Sequence, residues 1–194
     1  MYYKLKCLIA SDAGHPDPDL WKEIKEKSKL KTIKKNKVLV DVGSNQKYLY
    51  FVAIGSFVVL ATSKEGEQKA VWFHFDELFY IATAPDSFFR DQPTKYEIRA
   101  LEDSVVIRFS RPCFDLWISK YPSFRRFYHQ CIITDNVLRQ EIKTQCIISC
   151  PKEFLAYLKA SFTPFVDRVS SKYLAHFLGM SPEWLCKLKK RMVT

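Results

Sequence analysis

The stretch from Ser170 to Arg191, SSKYLAHFLGMSPEWLCKLKKR, decides the fold. Ser170 is placed to cap a first helix, with Val169 and Leu174 as the hydrophobic staple around it. Ala175 is small where two helices must approach closely. Gly179 supplies the left-handed residue that ends the first helix and starts a turn. Ser181 caps a second helix, with Pro182 at its first position, where a missing N–H costs nothing. Met180 and Leu185 repeat the staple. Leu174, Leu178, Met180, Leu185 and Leu188 then line an inner face, which leaves Ser181, Glu183, Trp184, Lys187, Lys190 and Arg191 outside. Leucine spacing alone would fit any helical hairpin. Two cap-and-staple units, with Ala and Gly at the crowded positions, specify a helix-turn-helix whose outer groups suit DNA.

Upstream, Lys152 to Lys159 reads as a further helix, and Cys150-Pro151 breaks the helix before it, which makes this the expected hinge. That preceding helix is long. Pro122 opens it, Ser123 is an early polar residue, and the apolar periodicity runs to about Ile148. At about 1.5 Å per residue it would span about 39 Å, more than a small barrel needs for its own cover. Phe124, Tyr128, Cys131, Leu138 and Ile142 make one apolar face, and Phe127, Ile133 and Val137 populate another. Two apolar faces predict two partners, the barrel and a second subunit.

Earlier still the period changes to that of short strands. Val38 to Val40, Leu49 to Ile54, Phe57 to Ala61, Ala70 to Phe75, Tyr96 to Ala100 and Val105 to Phe109 are the candidates, separated by Gly43-Ser44-Asn45, Gly55-Ser56 and the hairpin turn Lys64-Glu65-Gly66-Glu67. Repeated short strands with such turns predict a jelly roll that ends at Arg111-Pro112. Asp19 to about Lys31 reads as a short helix with Leu20, Trp21, Ile24 and Leu30 available for burial. The expected fold class is therefore α+β, a β jelly roll followed by a long dimerisation helix and a C-terminal all-α helix-turn-helix domain. The expected boundaries are 1–121, 122–148 and 149–194.

Charge is unevenly spread over the 194 residues, whose formal net charge is +10. Residues 1–37 carry ten Lys against five acids, and 167–194 carry six Lys/Arg against two, while 38–166 is nearly neutral. A solvated helix face accounts for the N-terminal lysines. The basic C-terminal end fits phosphate attraction. No apolar run is long enough to span a bilayer and the N-terminus lacks a signal-peptide pattern, so a cytoplasmic protein is expected, with no membrane partner. The six cysteines (Cys7, Cys113, Cys131, Cys146, Cys150 and Cys186) form no C-x-x-C pair. Reduced thiols are expected, and no metal or cofactor. Cys146 and Cys150, one helical turn apart, leave a redox role open.

A jelly roll, one long dimerising helix and a terminal helix-turn-helix together resemble the cyclic-AMP receptor protein and Fnr (Crp/Fnr) family of bacterial transcription regulators. The resemblance covers nearly the whole chain. It rests on Tyr48-Leu49-Tyr50-Phe51-Val52 leading to Gly55, on Tyr96-Glu97-Ile98-Arg99-Ala100-Leu101-Glu102-Asp103, and on Ser170 to Met192. It implies that residues 1–121 are a cyclic-nucleotide-binding-like effector domain and that a homodimer binds a palindromic promoter site in double-stranded DNA. It also implies roles at single positions. Ser171 and Lys172 match phosphate contacts, and Ser181 and Trp184 match backbone contacts at the start of the reading helix. Glu183 and Lys187 match base-reading positions, where a carboxylate accepts from cytosine N4 and a lysine donates to guanine O6/N7. Lys190 and Arg191 would add phosphate contacts.

Departures from the family pattern matter as much. Pro182 stands where relatives often place a guanine-reading arginine. The Gly-Glu and Arg-Ser or Arg-Thr pairs that hold a cyclic nucleotide are missing, the arginine position being Thr94. Thr94, Lys95 and Arg99 are the candidate effector-binding residues, and Lys lacks the bidentate fork that suits phosphate. Cyclic AMP is disfavoured, which leaves an unidentified small-molecule effector or none. The aromatic run Trp72, Phe73, Phe75, Phe79, Tyr80, Phe88 and Phe89 reads as core before it reads as a ligand box. The sequence ends at Thr194, so no wing hairpin is expected, and fewer phosphate contacts should flatten the salt dependence of binding. An alternative is a small-molecule-binding jelly roll whose C-terminal helices mediate protein contacts. An enzyme is not expected, since a metal-binding jelly roll needs a His-x-His set and His74 stands alone.

Overall fold

Leu49 to Ala53 are buried without interruption within the strand Tyr48–Ile54, so both faces of that strand must be covered. The computed structural model, which describes residues 1–10 and 17–191 without the side chain of Arg191, shows by what. Among the described residues eight strands, β1 (Lys29–Ile33), β2 (Val38–Val40), β3 (Tyr48–Ile54), β4 (Ser56–Thr62), β5 (Gln68–Phe75), β6 (Ile81–Ala82), β7 (Tyr96–Ala100) and β8 (Ser104–Ser110), form two sheets. Their orders are β1-β8-β3-β6 and β2-β7-β4-β5, and every paired strand is antiparallel. Tyr50 and Val52 of β3 point between the sheets with Val40, Phe57, Ile98 and Val106. Alternate residues Leu49, Phe51 and Ala53 point the other way, into a second cluster roofed by helices.

Those helices are α1 (Tyr2–Ala10), α2 (Pro18–Lys27), α4 (Arg111–Lys120) and the first half of α5 (Pro122–Ile148); α3 (Pro85–Arg90) is a short turn of helix between β6 and β7. Glu23 ties the roof together, accepting from Trp117 Nε1 at 3.1 Å, Tyr121 Oη at 2.8 Å and Lys120 Nζ at 2.8 Å. The remaining helices are α6 (Pro151–Ser161), α7 (Thr163–Asp167), α8 (Ser171–Phe177) and α9 (Pro182–Arg191). They share one apolar cluster with β4 and β5.

The jelly roll, the long helix and the terminal helix pair are as expected, and α5 has the expected start at Pro122. Three details differ. The helix expected from Asp19 to Lys31 stops at Lys27, and Lys29 to Ile33 instead pairs with β8 as an edge strand. Leu30 on that strand is 47% exposed rather than buried. Arg111-Pro112 does end the sheets, but it also opens α4, because Pro is tolerated in the first turn of a helix. On α5, Phe127 is buried with the roof residues and does not share the face of Ile133 and Val137.

Gly55 makes the sharp turn from β3 to β4 at φ +103°. A β-carbon there would lie 2.8 Å from the Ser104 backbone and 2.6 Å from its Cβ. Gly55→Ala is therefore expected to cost about 2–4 kcal/mol, from left-handed strain and overpacking together. Chemical denaturation checks it against Gly66→Ala, which has a similar φ of +86° but open space.

Candidate functional site

Two regions carry the candidate side chains. The first is the α8–α9 pair. Ser170 caps α8 through its side chain, accepting from Tyr173 N at 3.5 Å. The helix closes with Gly179 at φ +67°. Gly179 N donates to His176 O at 3.2 Å and Met180 N to Ala175 O at 3.0 Å, the double bond pattern of a Schellman stop. Ser181 Oγ then accepts from Trp184 N at 3.2 Å and starts α9. Leu174, Ala175, Leu185 and Leu188 are buried where the two helices meet.

With the apolar side so fixed, α9 presents Glu183, Trp184, Lys187 and Lys190 to solvent, and Trp184 is 46% exposed despite its size. Ser181 is exposed at the start of that helix, and Lys172 is exposed while Ser171 is half-buried at the start of α8. The side chain of Arg191 lies outside the described residues. The Glu183 carboxyl is held below its usual range by its own backbone N–H first, then by Ser181 and Lys187. It is an ionised acceptor at the N-terminus of a helix.

The pair is docked on the jelly roll. Phe165 of α7 and Phe177 of α8 meet Trp72 and Phe73 of β5 edge-on, at centroid distances of 5.3–6.0 Å. At the rim of that cluster Arg168 bridges to Asp76 Oδ1 at 2.6 Å, Glu102 Oε1 at 2.6 Å and Glu77 Oε1 at 3.3 Å. The sequence gives little sign of this contact, since its aromatics and acids are ordinary core and surface types until the fold brings them together.

The second region is a cavity of about 610 Å³ between β4–β5, the β6–α3 segment and α5, a size that suits a small organic ligand. Its walls include Val59, Val71, Trp72, Ile81, Phe89 and Tyr96, and α5 contributes Asp135, Asn136 and Arg139. Arg139 lies over the Trp72 ring, 3.9 Å from its centroid. Burial pulls the Arg139 guanidinium down to about 10, opposed by Asp135. Burial also pushes the Asp135 carboxyl up to about 6, opposed by Arg139. His74 is held down at about 3 by burial and then by the Arg139 charge. It is a neutral imidazole whose Nδ1–H donates to Phe79 O at 2.8 Å, which leaves Nε2 as an acceptor.

Thr94, Lys95 and Arg99 do not line this cavity. Thr94 is buried, and its hydroxyl accepts from Tyr96 N at 3.1 Å in its own turn. Lys95 is exposed, with its backbone N–H on Asp86 Oδ2 at 2.9 Å. Arg99 pairs with Glu97 at 2.6 Å. The aromatic run divides. Trp72 and Phe89 reach the cavity, whereas Phe73, Phe75, Phe79 and Phe88 are core.

Residues 30–121 match the sequence model of the cyclic nucleotide-binding domain family. The rest of the likeness comes from solved structures, among them several regulators. One is CLP of Xanthomonas campestris, a c-di-GMP responsive global regulator, with a TM-score of 0.67 at 12% identity over 91% of each chain. Another is a CooA variant from Carboxydothermus hydrogenoformans, with a TM-score of 0.67 at 13% identity over 95% of this chain and 82% of that one. A Eubacterium rectale protein assigned to the Crp/Fnr family superposes with a TM-score of 0.67 at 14% identity over 91% of this chain and 83% of the other. At such identities the likeness is one of fold. No curated protein matches the chain significantly in sequence.

Proposed function

We propose that this chain is a homodimeric, sequence-specific DNA-binding transcription regulator of the cytoplasm, not an enzyme. Its jelly roll (1–121) would sense a small molecule, its long helix (122–148) would join two copies, and its C-terminal part (149–194) would read a palindromic promoter site. The observation that carries this is the exposed row Glu183, Trp184, Lys187 and Lys190 on a helix whose other side is pinned by buried Leu185 and Leu188. Ser171, Lys172, Ser181 and Arg191 complete the proposed DNA contacts. Selection of bound sequences from a random duplex pool tests it. A palindrome with half-sites about one helical turn apart is expected. No enrichment, with weak salt-insensitive binding, would favour the rival in which the C-terminal helices contact protein.

The second half of α5 supports the dimer. Ile133, Val137, Gln140, Thr144 and Ile147 recur at 4-3 spacing and all are exposed, Ile133 by 58%, Val137 by 51% and Ile147 by 73%. A seam of this period fits a second copy of the same helix. Val137→Asp is expected to halve the mass seen by sedimentation and leave the thermal melt of the protomer little changed, since the position is on the surface. Retention of the dimer would remove α5 as its seam.

The effector is not expected to be cyclic AMP. Glycine and arginine are absent from the segment between β6 and β7 except Arg90, and the cation of the cavity comes from α5.

A further inference from the structure

Asp135 and Arg139 stand one turn apart on α5, in the acid-first order in which such pairs ordinarily close. Here they do not. Among the described residues neither has an opposite charge within 4.0 Å. Arg139 is drawn instead onto the Trp72 ring, 3.9 Å from its centroid. Both groups line the cavity, and among the described residues they are its only charged side chains, because His74 is neutral. The rest of the wall is largely apolar, with Val59, Val71, Ile81 and Phe89 on the side facing α5. Both residues are half-buried, and that burial raises the carboxyl and lowers the guanidinium. A charge in that position is costly until something pairs with it.

A monoanion could satisfy Arg139 but would face Asp135, and a monocation would meet the opposite conflict. The two wall charges cancel, so the cavity offers no net attraction to a phosphate ester. A ligand carrying one charge of each sign satisfies both groups at once. We infer that the cavity binds a small zwitterion, an α-amino acid with an apolar side chain, with its carboxylate on Arg139, its ammonium on Asp135 and its side chain among Val59, Val71, Ile81 and Phe89. A single guanidinium fork matches a carboxylate in two parallel hydrogen bonds. The inference rests on reading the cavity as the sensor site.

Calorimetric titration of the full chain with L-leucine, L-phenylalanine and L-tryptophan tests it, beside 3-phenylpropionate and 2-phenylethylamine, which each keep one charge. At least one amino acid should bind, and if phenylalanine does, each one-charge analogue should bind about tenfold more weakly or worse, the least that losing a charge-assisted pair should cost. Asp135→Asn should then reduce phenylalanine to the level of phenylpropionate, and Arg139→Gln to that of phenylethylamine. Absence of binding by all three amino acids overturns the inference, as does an analogue that binds as tightly as the amino acid sharing its side chain. The analogue comparison uses the unaltered protein, so it stands even if a variant fails to fold. Selective DNA binding without amino-acid binding would retain the regulator and remove this ligand class. Amino-acid binding without DNA binding would do the reverse.

Discussion

Phe165→Ala is expected to destabilise the protein by about 3–5 kcal/mol, the range for removing a fully buried phenylalanine. Phe165 is 0% exposed. Its ring lies within 5.2–6.2 Å of the rings of Trp72, Phe73, Phe75, Phe79, Phe162 and Phe177, drawn from both the jelly roll and the C-terminal helices. The cavity left behind would be lined by rigid aromatic rings that cannot collapse into it, which places the cost toward the upper end. For a chain of this length the melting temperature should fall by about 6–20 °C. Phe89→Ala is the control, since Phe89 is 41% exposed and outside this cluster. Arg168→Met should cost less than Phe165→Ala, because its three carboxylate partners are partly solvated and the methionine keeps most of the apolar stem. If Phe165→Ala melts no lower than Phe89→Ala, the C-terminal helices are not docked in solution as described.

That docking was not legible in the sequence, and the reason is physical. The elements that could be read are those punctuated locally. Pro122 starts α5, Gly179 closes α8, and Ser181-Pro182 opens α9, each by fixing or freeing one backbone position. The Lys64–Glu67 turn is of the same kind, with Gly66 at φ +86°. Elements without such marks were missed. β1 reads Lys-Leu-Lys-Thr-Ile, and its first four residues are exposed on a sheet edge, so it shows no apolar period of its own. α1 is a short helix held in the roof by Leu5 and Ile9, and nothing in its own sequence says so. The cavity was hidden for a stronger reason. Trp72, Phe89 and Arg139 meet there across long stretches of chain, and Asp135 and Arg139 alone look like an ordinary exposed pair on a helix. Of the three effector candidates that the family pattern implies, the fold engages the Thr94 hydroxyl in its own turn and pairs Arg99 with Glu97 on β7, while Lys95 is exposed away from the cavity.

Under the proposed function, joint replacement of Glu183 and Lys187 by Ala is expected to reduce sequence preference sharply while leaving fold and dimer intact. Under the proposed reading the two residues sit one turn apart on the exposed side of α9, and no ion pair within 4.0 Å joins them, so both remain available to base edges. Each base contact is worth about 1–3 kcal/mol of discrimination, so losing both should cut the ratio of specific to non-specific affinity by about 30-fold at least. Lys172→Ala should behave differently. A phosphate contact carries no sequence information, so its loss should weaken all duplexes alike and lower the salt slope by about one. A gel-shift series on the selected site and a scrambled one, at several salt concentrations, separates the two behaviours. Unchanged selectivity in the Glu183/Lys187 double variant would remove α9 as the reading helix. A uniform loss across all sequences would recast both residues as phosphate or structural contacts.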